Sequence, residues 1–340
     1  MKLLPARQRL LQPLGRLYGA AMGLRTRLYA AGLLHSRRLP GTVISVGNLT
    51  VGGTGKTPMV LWLAERLLAE GHRPVILTRG YRGFGNRSDE GMPDEVALLR
   101  RRLGEHVQFG IGKDRYQNGL ALSKNGAEWF ILDDGFQHLE LERDADIVLI
   151  DSTDSFGSGA VLPAGRLREP RSALARADVV VITRTSHVAA LENEIRWITS
   201  APIFYGQMRL ETVLRAPSMT EALLERVQRQ YKFFAFCGIG NPAAFFNDLT
   251  KWGFSVADRR SFADHHRYAL AEMQELERAA IARGAGALIC TEKDISNLPH
   301  SLATSLPIYA CRIRLALSDE EAFWKTVRAA VARSQPVNRA

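Results

Sequence analysis

The sequence predicts an α/β fold in which a parallel β-sheet has helices on both faces. From residue 42 onward, short runs rich in β-branched residues alternate with segments of helix length. The strand-like runs lie at 42–47, 74–79, 106–110, 128–134, 145–151 and 178–184. These runs are almost continuously apolar, which is typical of parallel strands buried on both faces. Binding sites in such sheets form at the carboxyl ends of the strands.

A smaller C-terminal α/β domain is predicted by a second series of runs. Strand-like segments at 231–240, 286–290 and 307–315 occur with helical segments near 242–252, 268–283 and 319–332. The predicted division is 1–35 for an N-terminal helix, 36–210 for the core domain, 211–230 for a polar linker and 231–335 for the C-terminal domain. We expect a cleft between the two lobes that excludes water when it closes.

The first 35 residues predict a basic amphipathic helix, interrupted near Pro13. Leucines and tyrosines recur at helical spacing among several arginines. The arginines occur too often for a helix that crosses a bilayer, which needs ~20 mostly apolar residues, and no clear signal-peptide cleavage site follows. Two interpretations stay open: the helix lies in the headgroup layer of a membrane, or it packs on the protein's own core.

The formal net charge of +10 indicates an anionic partner. Nucleic acid, an acidic membrane and a phosphorylated substrate all meet that requirement. The sequence contains no RNA-recognition or zinc-finger signature, which argues against nucleic acid, and its His and Cys spacing does not suit a zinc site. No feature of the sequence predicts a protein partner.

A phosphate-binding loop is predicted at 47–58, which reads GNLTVGGTGKTP. It follows a β-branched strand and precedes a segment with the apolar spacing of a helix, so the core is predicted to be a P-loop NTPase-type sheet. Lys56 reaches the β- and γ-phosphates of ATP, and Thr57 ligates Mg²⁺. Thr50 stands where the usual GxxxxGKT pattern has glycine. The predicted nucleotide-binding residues are Thr50, Val51, Gly52, Gly53, Thr54, Gly55, Lys56 and Thr57.

Two adjacent acids, Asp133 and Asp134, follow the apolar run EWFIL. They are expected at the carboxyl end of a strand beside the P-loop, where one of them holds Mg²⁺ directly or through water. Gln137 and Glu169 are candidates to complete the metal shell. The alternative is a simple strand-end turn, since Asp-Gly is common there.

Seven short blocks occur in one order along most of the chain from about residue 40 to residue 295. They are SVGNLTVGGTGKTP (45–58), RGYRG (79–83), DDGFQH (133–138), LPAGRLREP (162–170), GIGNP (238–242), FADHH (262–266) and TEKD (291–294). Together they resemble the tetraacyldisaccharide 4′-kinases of lipid A synthesis. The resemblance implies transfer of the γ-phosphate of ATP, with Mg²⁺, to the 4′-hydroxyl of a tetraacylated glucosamine disaccharide 1-phosphate, giving lipid IVA. It also implies that the N-terminal helix sits at the cytoplasmic face of the inner membrane of a Gram-negative-type bacterium.

The resemblance further implies the residues that accept the proton of the acceptor hydroxyl. Asp94 is the general base and His265 its partner. The family reads roughly GDEP at the acid, whereas this chain has Val96 in place of proline and Pro93 in place of glycine. Glu95 and Asp89 therefore stay open as alternatives. Apart from the family, Asp94 reads as an acid in the first turn of a helix.

Arginines are the candidates for clamping the transferring phosphoryl group, because the planar guanidinium suits phosphate oxygens. They are Arg115 in GKDRYQNG and Arg166 and Arg168 in LPAGRLREP, with ordinary surface charge as the alternative. Arg115 and Arg168, like Lys56, are predicted to be catalytic. On the acceptor side, the predicted residues are Arg79, Tyr81 and His138.

A nucleotide-switch GTPase or ATPase that acts on a macromolecular partner is the alternative function. Proteins that bind guanine nucleotides usually have an [NT]KxD element, with one residue between the lysine and the aspartate. In TEKD, Lys293 directly precedes Asp294, so the spacing does not suit recognition of guanine. A third interpretation is a basic nucleic-acid binder with ATPase activity, whose affinity would fall steeply with salt.

Overall fold

The computed structural model describes residues 6–80, 93–299, 301–302 and 304–334, with side chains from residue 10 onward. They form two compact units. The described residues of the first unit lie within Met1–Tyr81, Leu103–Gln207 and Leu315–Ala340, and those of the second within Arg82–Arg102 and Met208–Arg314.

The helices and strands are described in chain order. The helices are α1 (Ala6–Ala30), α2 (Lys56–Ala69), α3 (Asp94–Leu103), α4 (Arg115–Ser123), α5 (Ala189–Arg196), α6 (Leu224–Gln230), α7 (Pro242–Lys251), α8 (Leu270–Ala282), α9 (Glu292–Ile295) and α10 (Glu320–Ser334). The strands are β1 (Thr42–Asn48), β2 (Val75–Thr78), β3 (Gln108–Ile111), β4 (Trp129–Asp133), β5 (Ala145–Asp151), β6 (Val179–Thr183), β7 (Ile203–Ala216), β8 (Thr220–Ala222), β9 (Phe233–Cys237), β10 (Val256–Ser261), β11 (Ala287–Thr291) and β12 (Ile308–Leu317).

The sheet of the first unit has the strand order β7-β6-β5-β1-β4-β2-β3, with parallel pairing between neighbours. Every residue of β1, β5 and β6 is buried. A strand without an exposed side requires cover on both faces of the sheet, which helices provide. The predicted parallel α/β sheet is therefore confirmed, and β1, from which the P-loop segment leaves, lies in its interior.

The second unit contains a smaller parallel sheet in the order β10-β9-β11-β12. Helix α3 belongs to this unit, although in the chain it lies between β2 and β3 of the first. Arg101 donates a hydrogen bond of 2.7 Å to Ser296 Oγ, and Arg102 lies 3.4 Å from the buried carboxylate of Glu292. These contacts fix the C-terminal end of α3 on the α9 segment.

The predicted domain division differs from this one in three places. The stretch 211–230, predicted as a linker, contains the end of β7, β8 and α6, because Val213 and Val227 are buried between its polar positions. Helix α10, predicted in the C-terminal domain, lies in the first unit, where Phe323 packs edge-on against Trp62 at 5.2 Å between ring centroids. Helix α3, predicted in the core domain, is the third difference.

The predicted N-terminal helix is present, and α1 continues through Pro13 rather than breaking there. One face packs closely on the segment 158–172: Gly15 is so near that an added Cβ would lie 2.9 Å from Ala164 Cβ. A cavity of ≈ 710 Å³ lies along this contact. Away from this cavity, α1 exposes three leucines, Leu10, Leu14 and Leu17, by 81%, 54% and 70%, whereas Leu24 lines the cavity.

None of the helices in the part of the chain that the structure describes is both long enough and apolar enough to span a bilayer.

We expect Gly15→Ala to destabilise the protein by about 1–3 kcal/mol, since its new methyl group would overlap Ala164 and the carbonyl oxygen of Val161. Gly23→Ala is the matched control, because no atom lies within 4 Å of an added Cβ there. That variant should be neutral or more stable by up to ~1 kcal/mol, the helix propensity gained. Denaturant unfolding measures both, and equal effects would contradict the close packing of α1.

Candidate active site

The loop between β1 and α2 has the backbone that a phosphate-binding loop requires. Gly52 and Gly55 have φ angles of 124° and 94°, a region that residues with a Cβ rarely adopt. Lys56 is the first residue of α2, and its ammonium donates to Asn48 Oδ1 at 3.1 Å. Backbone N–H groups at the start of α2 and the lysine are therefore available to an anion at one place.

The segment 162–170 pairs with this loop through the backbone. The amide of Val51 donates to the carbonyl of Arg166 at 2.8 Å, and the amide of Arg168 donates to that of Leu49 at 2.7 Å. Thr50 forms an antiparallel bridge with Leu167. The side chain of Arg168 is thereby held beside the P-loop, as the sequence block suggested.

Other residues of the loop differ in their surroundings. Thr54 is buried, its carbonyl accepts from the Thr183 hydroxyl at 3.0 Å, and its own hydroxyl lacks a hydrogen-bond partner in the described part of the chain. Gly53 is exposed, and Thr57 is half-buried in the first turn of α2.

Asp134 is bound by two cations. Arg168 Nη1 donates to both of its carboxylate oxygens at 2.7 Å, and Lys56 Nζ lies 3.4 Å from Oδ1. Burial raises the pKa of Asp134, but Lys56 and Arg168 outweigh that effect and lower the pKa to about 2. Asp134 is therefore ionised throughout the neutral range and neutralises part of the charge beside the P-loop.

Asp133 ends β4 directly opposite Val46 of β1, so the parallel register places it next to the P-loop. Its side chain accepts from the hydroxyl of Thr78 at 3.2 Å. The buried guanidinium of Arg115 donates to its backbone carbonyl at 3.3 Å. Arg115 thus contacts the strand end that supplies the acids.

The other two predicted metal ligands lie in different surroundings. Gln137 donates through Nε2 to the carbonyl of Asn48 at 3.0 Å, and its Oε1 lies 3.5 Å from Arg168 Nη1. Glu169 is buried and pairs with Arg176 at 2.8 Å. Gln137 is therefore joined to the P-loop group, whereas Glu169 is held by an arginine.

The predicted metal ligands suit Mg²⁺, because they offer carboxylate, hydroxyl and amide oxygens, which are hard ligands. These ligands are Thr57, Asp133, Asp134, Gln137 and Glu169. Within the described residues, no three or more His, Cys, Asp or Glu side chains are arranged to hold a metal ion. A magnesium ion here would take further ligands from phosphate and water, which is its usual behaviour in nucleotide sites.

The predicted acceptor-side residues are only partly described. Arg79 is exposed just after β2, and Tyr81 lies outside the described residues. His138 is half-buried. Burial lowers its pKa, and the nearby guanidinium groups of Arg115 and Arg143 lower it further, to about 4. The imidazole of His138 is therefore neutral at neutral pH.

Asp94 and His265 lie together in the second unit. Asp94 begins α3, and Nδ1 of His265 is 2.9 Å from both of its carboxylate oxygens. Asn297 Nδ2 donates to Asp94 Oδ2 at 3.3 Å. Burial raises the pKa of Asp94, but His265 and Lys293 outweigh it, so the pKa is lowered. The hydrogen bond that His265 donates to the Asp94 carboxylate raises the pKa of His265.

Four residues that contact the predicted site residues were not predicted from the sequence to belong to the site: Asn48, Thr78, Lys293 and Asn297. Asn48 and Thr78 end β1 and β2, the two strands on either side of β4, and their position beside the P-loop and the acid run was the available signal. Lys293 was named only as part of TEKD, and Asn297 not at all. Their roles depend on contacts between segments about 200 residues apart, which the sequence pattern does not reveal.

Comparison with known proteins identifies the family. A family model described as Tetraacyldisaccharide-1-P 4'-kinase matches residues 7–332. The chain belongs to the tetraacyldisaccharide 4′-kinase family. A tetraacyldisaccharide 4′-kinase of Desulfotalea psychrophila is 39% identical over 328 residues, with 91% of this chain and 92% of the relative covered. One from Geobacter sulfurreducens is 40% identical over 315 residues, with coverage of 86% and 85%.

A solved structure agrees with this assignment. The crystal structure of LpxK from Aquifex aeolicus in complex with ATP has a TM-score of 0.71 and 30% identity, and the match covers 95% of this kinase and 99% of that chain. The predicted family, the P-loop fold and the kinase class are therefore confirmed, and the nucleotide-switch alternative is not favoured. The roles of single side chains in this tetraacyldisaccharide 4′-kinase stay predictions.

We expect Asp134→Asn to separate nucleotide binding from phosphoryl transfer in the kinase. The variant removes the carboxylate that opposes Lys56 and Arg168, so ATP binding in EDTA should be unchanged or tighter. Turnover with Mg²⁺ should fall ~100-fold or more, because the variant lacks a carboxylate that is predicted to hold Mg²⁺, and charge neutralisation at the transferring group is the main source of catalysis. Calorimetric ATP titration and an ADP-release assay measure the two quantities. Weaker ATP binding in EDTA would contradict this role.

Proposed function

We propose that this chain transfers the γ-phosphate of ATP to the 4′-hydroxyl of a tetraacylated glucosamine disaccharide 1-phosphate and so makes lipid IVA. The observation that carries the proposal is the Asp134 carboxylate held between Lys56 and Arg168 at a P-loop, in a member of this family. Phosphoryl transfer asks a protein mainly for positioning and charge neutralisation, and this group offers both.

The nucleotide would be held by residues 50–57. In this proposal its phosphates replace the Asp134 carboxylate as partner of Lys56 and Arg168, and Arg115 acts with them on the transferring group. Thr57, Asp133, Asp134, Gln137 and Glu169 would hold Mg²⁺, which supplies further neutralisation of the phosphate oxygens when bound. Release of Glu169 from Arg176 is required if it joins that shell.

Asp94 would accept the proton of the 4′-hydroxyl, with His265 as its partner. The lowered pKa of Asp94 keeps the carboxylate ionised at neutral pH, which a base needs. The hydrogen bond to His265 Nδ1 orients the carboxylate and provides a second group for the proton.

The acceptor would be bound through Arg79, Tyr81 and His138. A neutral imidazole both donates and accepts a hydrogen bond, which suits a sugar hydroxyl. Its low pKa therefore favours contact with the sugar rather than an ion pair with phosphate.

We place the enzyme on the cytoplasmic face of the inner membrane, bound through α1. At 3.6 residues per turn, Leu10, Leu14 and Leu17 share one face, away from the glycines that pack on the protein. Arg16, Arg25 and Arg27 lie at the flanks of that face. Apolar burial and attraction of arginine to anionic lipid then add together.

A labelled-ATP assay tests the reaction. The purified chain is incubated with γ-labelled ATP and the acylated disaccharide 1-phosphate, with RNA, or without an acceptor, and label should enter only the disaccharide. Asp94→Asn should keep ATP binding and lose ~100-fold or more of the transfer, since the base is removed. ATP hydrolysis without label in the disaccharide would refute the function; undiminished transfer by Asp94→Asn would move the base to another acid.

Replacing Leu10, Leu14 and Leu17 with Gln should reduce sedimentation with vesicles of phosphatidylethanolamine and phosphatidylglycerol by ~10-fold or more, because each exposed leucine contributes ~1 kcal/mol or more of apolar burial. The matched control replaces Leu223 and Ile281, which are exposed by 75% and 56% on the second unit, with Gln. The control should bind vesicles like the unmodified chain. Equal losses in the two variants would argue against α1 as the membrane contact.

A further inference from the structure

We propose that Lys293 and Asn297 are positioning residues for Asp94, and that the charge of Lys293 sets the lower pH limit of phosphoryl transfer. This inference rests on the proposed role of Asp94 as the base. Both residues come from α9 and the turn after it, a segment that the family block TEKD opens.

Among the described residues, the ammonium of Lys293 lies within 4 Å of three carboxylates. Its ammonium lies 3.8 Å from Asp94 Oδ2 and 3.4 Å each from Glu95 Oε1 and Asp264 Oδ1. Its side chain is only 17% exposed, so water screens these interactions weakly. Without this cation, Asp94 would share a partly buried region with two further negative charges, and its ionised form would be disfavoured.

Asn297 supplies a hydrogen bond to Asp94, whereas the Lys293 ammonium, at 3.8 Å, attracts the carboxylate without one. Its Nδ2 donates to Asp94 Oδ2 at 3.3 Å, while His265 Nδ1 faces both oxygens of that carboxylate. The backbone carbonyl of Asn297 also accepts from the amide of Tyr268, three residues after His265. One residue thus contacts Asp94 and the segment that presents its histidine partner.

Asp294 holds the α9 segment in place through buried hydrogen bonds. It is 1% exposed and accepts from the Gly238 amide at 2.8 Å and from the Tyr268 hydroxyl at 2.8 Å. The amide of His265 in turn donates to the carbonyl of Gly238 at 3.1 Å, and His265 has a left-handed φ of 60°. A non-glycine residue keeps such a backbone only when its surroundings hold it there. Lys293 and His265 are therefore attached to one small scaffold.

The electrostatics give this role a signature. Lys293 lowers the pKa of Asp94, and it also lowers the pKa of His265. Among the described residues, the charged groups in this network are His265, Lys293, Glu95 and Asp264. Removing the lysine charge should therefore raise the pKa of both the acid and the histidine. A purely structural role for Lys293 would give no such paired shift.

The test compares Lys293→Met with Lys293→Arg in the full chain. In Lys293→Met, the acidic limb of the pH profile of kcat/KM should move up by ~1 pH unit, a ~10-fold loss on that limb, with a much smaller loss above it. Lys293→Arg keeps the charge and should keep the limb within ~0.3 units. Arg260→Met, which breaks a surface pair with Glu275, is the control and should leave the profile unchanged.

A second measurement does not depend on turnover. The imidazole of His265, assigned by comparison with His265→Gln, is titrated by NMR, and its pKa should rise in Lys293→Met but not in Lys293→Arg. Asn297→Ala keeps all charges, so it should lower kcat without moving the limb by more than ~0.3 units. If Lys293→Met does not fold, Lys293→Gln is used in its place.

Two results overturn the inference and are distinguishable. An unchanged pKa of His265 together with a loss of kcat/KM that is equal at every pH would mean that Lys293 acts only on folding or packing. A raised pKa of His265 with full transfer by Asp94→Asn would mean that the ion network exists but that Asp94 is not the base. In the second case, the proposed role of Asp94 as the base is wrong, whereas the electrostatic effect of Lys293 on His265 is confirmed.

Discussion

The ion pair between the Asp134 carboxylate and the cations Lys56 and Arg168 is the constraint on which the nucleotide site depends. A P-loop concentrates backbone N–H groups and a lysine at one point, and a second cation there repels the first unless an anion is present. Asp134 provides that anion in the protein itself, and its pKa of about 2 keeps it available at any neutral pH. Parallel pairing of β4 with β1 brings the acid there, and backbone pairing of 162–170 with the loop brings Arg168. Residues of three sequence blocks, at 45–58, 133–138 and 162–170, thus form one ion-paired group.

The basic composition of the chain is largely explained by such internal pairs and by one helix. Arg102 and Arg312 both bind the buried carboxylate of Glu292, and Arg101 binds Ser296. Arg101 and Arg102 fasten α3, and with it Asp94, to the segment that carries Lys293, and Arg312 of β12 binds the same segment. A charge excess that suggested nucleic acid as one possible partner is thus used in part to hold an acid in place. These contacts explain why α3 belongs to the second unit, although β2 and β3, the strands before and after it in the chain, belong to the first.

The sequence predicted the central strands, the P-loop and its acids because their patterns are local. Buried parallel strands such as β1 and β5 are rich in β-branched residues, and GKT between a strand and a helix has few other uses. The strand β10 was not predicted, since VADRRS is the polar sequence of an edge strand. The position of α10 and the partners of Lys293 depend on tertiary contacts between distant segments. Such contacts leave no periodic signal in either segment.

The N-terminal helix packs one face on the protein's own core, as one of its two interpretations predicted, and its contact with a membrane stays a prediction. Small residues at Gly15 and Gly19 let α1 approach 158–172 so closely that a methyl group would not fit at Gly15. That approach also brings Arg25 within 3.0 Å of the carbonyl of Gln137, in the block that carries Asp134. The face that packs on the core therefore contacts the segment that carries Asp134, while the leucine face stays exposed. With α1 packed in this way, its exposed leucines have one orientation relative to the segment that carries Asp134. A flexible tether could bring an enzyme to a membrane but could not set that orientation.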